Sequence, residues 1–258
     1  MTSLQALILG LIQGVVEFFP VSSSSHLSIA RTLMGIPSSD SLVAFDLFCH
    51  FGTLFAALYF FRRDIHVLFF ERRDKLLQIA IAIVPLIPAY LLLKPLREAG
   101  HQLSMTGYML IATSLLLFTG QRVRIKRQAR VDWKRRAQDA VCIGLLQSAA
   151  LIPGVSRSAS TISCARVLGW NAQEAVRFSF LLAIPTIFGG NCLTLLKLSQ
   201  QTSGLPISLS SCLIGFGASL IAGLALIGPA IRCLENGRLR PFAWYCLLLG
   251  ACVCLYSL

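Results

Sequence analysis

The sequence predicts an all-α polytopic membrane protein with an internal, inverted repeat. The 258 residues are 55% apolar and only 13% charged, with a mean hydropathy of +0.72, whereas soluble domains are about one-quarter charged. Two Pro-led, hydroxyl-rich breaks interrupt the apolar sequence, PVSSSSH at residues 20–26 and PGVSRSAST at residues 153–161. Similar flanking patterns around the two breaks predict six transmembrane helices plus two re-entrant helical hairpins.

The basic residues are segregated along the chain. Of 23 Lys and Arg residues, five lie in residues 62–75 and eight in residues 122–136. Such clusters mark cytoplasmic loops, so the net charge of +12 primarily indicates the orientation of the chain in the membrane. No basic segment carries a nucleic-acid-binding motif, which argues against that class of partner and favours membrane lipids with anionic headgroups.

The first half of the chain predicts one hairpin and three spans. Residues 4–18 are apolar, but about 15 helical residues reach only ~22 Å, short of the ~30 Å hydrocarbon core. The segment therefore enters the membrane without crossing it, and residues 27–34 return after the break. The predicted spans that follow are residues 42–61, 76–93 and 103–119.

The pattern then restarts. Residues 137–152 are a second short apolar run, residues 162–170 complete its hairpin, and the spans are 178–198, 207–231 and 242–258. LGLIQ at residues 9–13 recurs as IGLLQ at residues 143–147. One integral membrane domain, 1–258, is thus predicted to comprise unit one (1–121), a basic cytoplasmic connector (122–136) and unit two (137–258). Because each unit has an odd number of spans, the second unit is inverted in the membrane relative to the first. The two hairpins therefore enter from opposite faces of the membrane, and their tips can meet.

Each break predicts an anion-binding site. Pro20 and Pro153 end any helix that runs into them, and the Ser residues after them are strong N-caps. The start of a helix favours phosphate or carboxylate, because its N–H groups are free and its dipole end is positive. Two such starts, one carrying His26 and the other Arg157, predict an electropositive pocket for a phosphorylated group.

Glu17 is the first candidate catalytic residue, since an acid inside an apolar run is costly unless it has a function. It shares a helix face with Gln13, four residues earlier. Together they offer hard oxygens, which suit Mg²⁺ or Ca²⁺ shared with a diphosphate. The alternative is a protonated or hydrogen-bonded Glu that stabilises a helix contact.

The first break supplies the candidate nucleophiles and a candidate acid–base group. Imidazole at His26 can act as general acid, general base or nucleophile. Ser22, Ser23 and Ser24 can cap the helix, bind phosphate oxygens or, for one of them, attack phosphorus.

Arg157 is the strongest candidate in the second break, because a guanidinium at membrane depth needs an anion. Ser156, Ser158 and Thr161 can add donors. The alternative for Arg157 is an internal ion pair with Glu17.

Several other polar residues are weaker candidates, predicted to support neighbours or join helices; they are Asp46, His50, Glu174 and Arg177. His66 and His101 lie in predicted loops and are given no role.

The two breaks resemble a known pair of signatures. QGVVEFFPVSSSSH and PGVSRSAST are similar to the (E/Q)xxxE plus PVSS-x-x-H and PG-x-SRS-x-x-T signatures of the undecaprenyl-diphosphate phosphatase family, the bacitracin-resistance proteins. FDLFCHFGT and RFSFLLAIP also resemble family segments, so the similarity covers nearly the whole chain.

The resemblance implies a multi-pass phosphatase of the bacterial inner membrane whose active site opens to the periplasmic side. Its substrate would be undecaprenyl diphosphate, converted to the monophosphate carrier used in cell-wall synthesis; bacitracin acts by sequestering that substrate. A divalent metal, Mg²⁺ or Ca²⁺, is also implied.

Residue by residue, the resemblance assigns the metal to Glu17 and Gln13 and makes Glu17, Ser23, His26 and Arg157 catalytic. Ser23 is the implied nucleophile, although His26 or water also remains open. The implied phosphate-binding set is Ser156, Arg157 and Thr161. Ser22, Ser24 and Ser158 remain candidate substrate-binding residues on the reasoning from the two breaks given above. Ser25 and Ala159 stand where Gly is usual in the family.

Two other functional classes fit the same sequence. A lipid-phosphate or anion transporter uses inverted repeats with broken helices. A membrane scaffold without chemistry is the second, but it leaves Glu17 and Arg157 at membrane depth unexplained. Oligomeric state stays open, and a homo-oligomer is compatible with the sequence.

Overall fold

The architecture is helical throughout the described residues, which in this computed structural model are 1–36, 41–99, 103–123, 132–200 and 207–257. Within these ranges the chain forms thirteen α-helices and no strand. They are α1 (Ser3–Val16), α2 (Ser23–Leu33), α3 (Ser41–Phe60), α4 (Arg62–Phe70), α5 (Arg73–Ile83), α6 (Leu86–Leu92), α7 (Lys94–Ala99), α8 (Leu103–Arg122), α9 (Trp133–Ser148), α10 (Arg157–Val167), α11 (Ala172–Ser199), α12 (Leu209–Glu235) and α13 (Arg240–Tyr256). Most of the predicted basic connector, at 124–131, and His101 lie outside the described residues.

Four helical segments are long and apolar enough to cross a membrane: Leu42–Phe60, Arg73–Leu92, Ala172–Ser199 and Leu209–Glu235. The prediction of an all-helical, multi-span membrane protein is therefore confirmed. The other two predicted spans are also helical, as α8 and α13, but α13 has only 17 residues.

Several predicted loops are in fact helical. The basic segment 62–75 forms α4 and the start of α5, each with an aspartate, Asp64 or Asp74, in its first turn. An acidic side chain there stabilises a helix start through its dipole. α11 begins at Ala172, earlier than the predicted 178, because the side chain of Asn171 caps it by accepting from the Glu174 N–H.

Both breaks separate helices where Pro and Ser predict them. α1 begins with a capping box between Thr2 and Gln5 and ends at Val16, and a turn leads to the start of α2 at Ser23. α9 is followed by a short 3₁₀ turn, Ala149–Leu151, and α10 starts at Arg157. Each break thus ends one short helix and starts another.

Close packing brings the two halves of the chain together. α12 packs against α1 and α3, while α13 packs against α8, which also contacts α10. A Cβ at Gly14 of α1 would lie 2.6 Å from the Ala222 Cβ and the Ser219 carbonyl oxygen of α12, so only glycine permits this approach. These contacts place the α1–α2 break beside the start of α10.

Candidate active site

The two breaks, more than 120 residues apart in sequence, are hydrogen-bonded to each other. Gly154 N–H donates to Ser24 Oγ at 3.0 Å, and Ser158 Oγ donates to the Phe19 carbonyl at 3.3 Å. Gly154 has φ of +100°, a backbone conformation that side chains with a Cβ rarely adopt. Glycine here lets the second break approach the first.

Serine caps begin both helices at this junction. Ser22 Oγ accepts from the Ser25 N–H at 3.4 Å, and Ser156 Oγ accepts from the Ala159 N–H at 3.2 Å. Ser22 has φ of +69°, which turns the chain sharply into α2. The positive ends of α2 and α10 therefore lie at one junction, which suits an anion.

Glu17 lies at the centre of this junction and is almost fully buried, with 6% of its side chain exposed. Its Oε2 accepts from Ser23 Oγ at 2.8 Å and from Gln13 Nε2 at 2.9 Å. Its Oε1 accepts from Arg157 Nη2, also at 2.8 Å. One carboxylate thus connects the candidate nucleophile, the neighbouring amide and the guanidinium.

Arg157 is held by groups from two helices. In addition to Glu17, its Nη1 donates to the Ala183 carbonyl of α11 at 3.3 Å. The internal pair with Glu17, which the sequence left as an alternative, is therefore present. This pair does not occupy all five N–H donors of the guanidinium, and 21% of the Arg157 side chain remains exposed.

A cavity of about 730 Å³ opens beside these residues. Seven of the predicted site residues line it: Glu17, Ser22, Ser23, Ser24, Ser156, Arg157 and Ser158. Apolar side chains complete the wall, among them Phe19, Leu42 and Leu86. The cavity combines a charged, hydroxyl-rich region with apolar surface, as an amphiphilic ligand requires.

Gln13 and Thr161 lie behind the cavity wall and are not among its lining residues. Gln13 is fully buried beneath Glu17, and its Oε1 has no hydrogen-bond partner. Thr161 Oγ1 lies 2.6 Å from Ser179 Oγ of α11 and donates to the Arg157 carbonyl at 3.0 Å. Both residues support the neighbours that line the cavity.

His26 is turned away from the cavity. Its Nδ1 lies 2.7 Å from the Ser22 carbonyl, and its Nε2 lies 2.7 Å from the Tyr245 hydroxyl of α13. A carbonyl only accepts, so in the neutral ring Nδ1 donates and Nε2 accepts from tyrosine. Both ring nitrogens are occupied, and the structure does not bring His26 together with Glu17 and Arg157 in the cavity.

The polar residues that line the cavity and that sequence reasoning missed include Arg31, Gln147 and Asn191. Arg31 of α2 forms an ion pair with Asp46 of α3. The rule that singled out Arg157, a guanidinium within an apolar segment, would have found Arg31. Gln147 and Asn191 are buried, and both have side-chain atoms without a hydrogen-bond partner; the repeat of LGLIQ as IGLLQ was a signal for Gln147.

The weaker candidates fall into two groups. Asp46 and His50 line the cavity. Arg177, by contrast, forms an exposed ion pair at 3.4 Å with Glu235, which belongs to neither break. Such a surface pair contributes little to stability.

A divalent cation at Glu17 would depend on the bound substrate for most of its ligands. In the part of the chain that the structure describes, no group of three or more His, Cys, Asp or Glu side chains is placed to hold a metal. However, Mg²⁺ commonly binds through one or two carboxylates and the oxygens of substrate phosphates. Glu17 in the cavity wall, with the unpartnered Gln13 Oε1 behind it, fits that kind of site.

Comparison with known proteins identifies the family. Residues 6–252 match the family described as "Bacitracin resistance protein BacA". The chain belongs to this family. The matched region contains both breaks and every residue of the candidate site.

Curated relatives match the chain over nearly its full length. A protein of Protochlamydia amoebophila is 40% identical over 258 residues, covering 99% of each chain. A protein of Geobacter sulfurreducens is 36% identical over 275 residues, covering 99% of this chain and 98% of the relative. A third, of Syntrophotalea carbinolica, is 34% identical with 97% of each covered. All three are named undecaprenyl-diphosphatase.

Proposed function

We propose that this protein is an undecaprenyl-diphosphatase, which hydrolyses the terminal phosphate of undecaprenyl diphosphate and leaves undecaprenyl phosphate. The observation that carries the proposal is the Ser23–Glu17–Arg157 cluster at the junction of two helix starts. This cluster lies in a cavity that also has apolar walls, within a membrane protein. The names of the full-length relatives agree with that chemistry.

Binding of the diphosphate uses charge and helix ends. Arg157 presents N–H donors not occupied by Glu17 and Ala183, and its planar fork matches phosphate oxygens. Ser24, Ser156 and Ser158 line the same surface and supply hydroxyl donors. The positive ends of α2 and α10 add a favourable potential without any net charge of their own.

Phosphoryl transfer begins with Ser23. Its Oγ attacks the terminal phosphorus while the hydroxyl proton moves to Glu17 Oε2, 2.8 Å away. The bond between the bridging oxygen and this phosphorus breaks, and undecaprenyl phosphate leaves. Water then attacks the phosphorus of the phosphoserine, and the bond between Ser23 Oγ and phosphorus breaks. Ser23 Oγ takes back the proton held by Glu17, and inorganic phosphate leaves with the two protons of the water. Arg157 stabilises the negative charge on the transferring group.

The role predicted for His26 changes in this scheme. His26 acts as a positioning residue: it holds the Ser22 carbonyl at the sharp turn before Ser23 and is fixed by Tyr245.

A divalent ion would be held by Glu17, supported by Gln13, and the oxygens of the substrate phosphates would complete its ligands. When bound, it would offset charge on the diphosphate.

The membrane topology is part of the same proposal. Six spans and two re-entrant hairpins would form inverted units at 1–121 and 137–258, joined by the cytoplasmic connector 122–136. Support comes from the matching order of short helix, break and short helix in each unit, and from the contact between the two breaks. In this topology the cavity would face the periplasmic side of the inner membrane.

Purified protein tests the function directly. In detergent, the protein should release inorganic phosphate from undecaprenyl diphosphate and leave the monophosphate, whereas Arg157→Ala should release almost none. In sealed proteoliposomes, transport of the lipid phosphate without hydrolysis would instead support a transporter and overturn the proposal. Absence of both activities in folded protein would favour a scaffold.

A further inference from the structure

A second charged cluster lines the same cavity at a distance from Glu17 and Arg157. Arg31, in the last turn of α2, forms an ion pair with Asp46 of α3, and His50 lies one turn further along α3. Arg31 is eight residues beyond Ser23, which is about 12 Å along the helix axis. Arg31 bonds to Asp46 of α3, whereas Glu17 bonds to Ser23 and Arg157, so the two charged clusters are bonded separately on the cavity wall.

This cluster has hydrogen-bond donors to spare. Arg31 Nη2 bonds to Asp46, but its buried Nε has no partner. His50 Nδ1 lies 2.7 Å from the Asp46 carbonyl, so it donates there, and Nε2 of the neutral ring can accept from the hydroxyl of a hydrogen phosphate. Ser28, one helical turn before Arg31, also lines the cavity. Guanidinium, imidazole and hydroxyl groups together suit a phosphate oxyanion.

Asp46 sets how strongly an anion can be held. The ion pair of Arg31 with Asp46 has no net charge, so it does not bind phosphate tightly. An arriving phosphate dianion can replace the carboxylate as the partner of Arg31, and Asp46 can take Arg31 back afterwards. A transit site needs this behaviour, because binding must be strong enough for entry and weak enough for release.

We propose that Arg31 and His50, with Asp46 as the exchangeable counter-ion, form a second phosphate subsite that receives inorganic phosphate as it leaves the reaction centre. The proposal rests on the function proposed above, since that reaction produces phosphate at Ser23 inside the protein. The same chemistry would also bind a phosphate still attached to the lipid, so the test separates the two sources.

The test compares three variants of the full-length protein in detergent: Arg31→Gln, Asp46→Asn and the control Arg177→Gln. Arg177 also belongs to an Arg–carboxylate pair, but it is 64% exposed. Binding of radiolabelled inorganic phosphate is measured without lipid, and product inhibition by phosphate is measured during turnover. Thermal unfolding checks each variant.

The two substitutions have opposite expected effects. Arg31→Gln should weaken phosphate binding and raise the inhibition constant at least ~10-fold, since a hydrogen bond to a charged group is lost. Asp46→Asn should strengthen binding, because Arg31 loses its competing carboxylate. Arg177→Gln should match the wild type. A general loss of folding cannot produce the increase in Asp46→Asn.

Three results would overturn the proposal. If neither variant changes phosphate binding, the pair only joins α2 and α3. If Asp46→Asn weakens binding as Arg31→Gln does, Asp46 is not a competing counter-ion. If Arg31→Gln raises KM for the lipid diphosphate but leaves phosphate inhibition unchanged, the site binds the phosphate of the lipid. Because phosphate binding is measured without turnover, failure of the proposed phosphatase activity is a separate outcome.

Discussion

Ser23 Oγ donates a 2.8 Å hydrogen bond to Glu17 Oε2 across the turn that separates α1 from α2. A hydroxyl donating to a buried carboxylate is the arrangement of a nucleophile and its base. The same carboxylate accepts from Arg157, so the base, the nucleophile and the phosphate-binding cation are connected. The mechanistic predictions start from these contacts.

Glu17→Gln should lower turnover at least ~100-fold, because an amide cannot take the Ser23 proton. The variant keeps the size of the side chain, so its thermal unfolding should stay close to wild type. Phosphate release from undecaprenyl diphosphate measures the effect. Glu71→Gln, at an exposed acid after α4, is the matched control. Turnover near the wild-type level in Glu17→Gln would remove Glu17 from the proton transfer.

Ser23→Ala should abolish turnover and also the covalent intermediate. In wild-type protein quenched during turnover, ³¹P NMR and peptide mass spectrometry should locate a phosphate on Ser23. Ser210→Ala, an exposed serine of α12, should behave as wild type. Substantial turnover in Ser23→Ala, with no phosphoenzyme in the wild type, would assign the attack to water.

Arg157→Ala should lower turnover at least ~100-fold, because the charge on the transferring phosphoryl group loses its main stabilising partner. Arg157→Lys should recover only part of the activity, since an ammonium cannot bind phosphate through a planar fork. Arg232→Ala, an exposed cation in the last turn of α12, is the control. Full activity in Arg157→Lys would contradict bidentate binding.

His26 should affect activity through position rather than proton transfer. His26→Ala and Tyr245→Phe should each lower kcat, and their effects should not add, because both loosen the same contact with Ser22. The pH profile of kcat should keep its shape in Tyr245→Phe and in His26→Gln. Loss of one limb of the profile in His26→Gln would instead show that the imidazole exchanges a proton during turnover.

Removal of divalent ions tests the metal site. EDTA should stop phosphate release, and added Mg²⁺ or Ca²⁺ should restore it, since one carboxylate and substrate oxygens leave the ion readily removable. Gln13→Glu should lower the metal concentration needed for half-maximal activity, because it adds a second carboxylate. Continued turnover in EDTA would exclude a removable metal from the reaction.

The sequence by itself determined the helical, membrane-spanning class and the position of the functional segments. Hydropathy alone requires that backbone groups be paired within helices, because the bilayer offers no water to satisfy them. Pro20, Pro153 and the Ser caps are local signals, so the two breaks appear where the sequence predicts them. Glu17 and Arg157 stand out because charge is expensive at membrane depth.

Helix boundaries near charged segments were less predictable. Hydropathy treats residues 62–75 as a loop, yet aspartates in the first turns of α4 and α5 favour helix starts there. These are local effects that a count of apolar residues does not register.

Only the tertiary structure decided which side chains meet. A helix start fixes where a residue lies along the axis, but the direction it faces depends on the packing of neighbouring helices. His26 and Ser23 are three residues apart on one helix, yet Tyr245 of α13 draws His26 away while Ser23 bonds to Glu17. Arg31 became a candidate only when α3 placed Asp46 beside it in the cavity. Contacts between residues distant in sequence follow from packing, which no local pattern encodes.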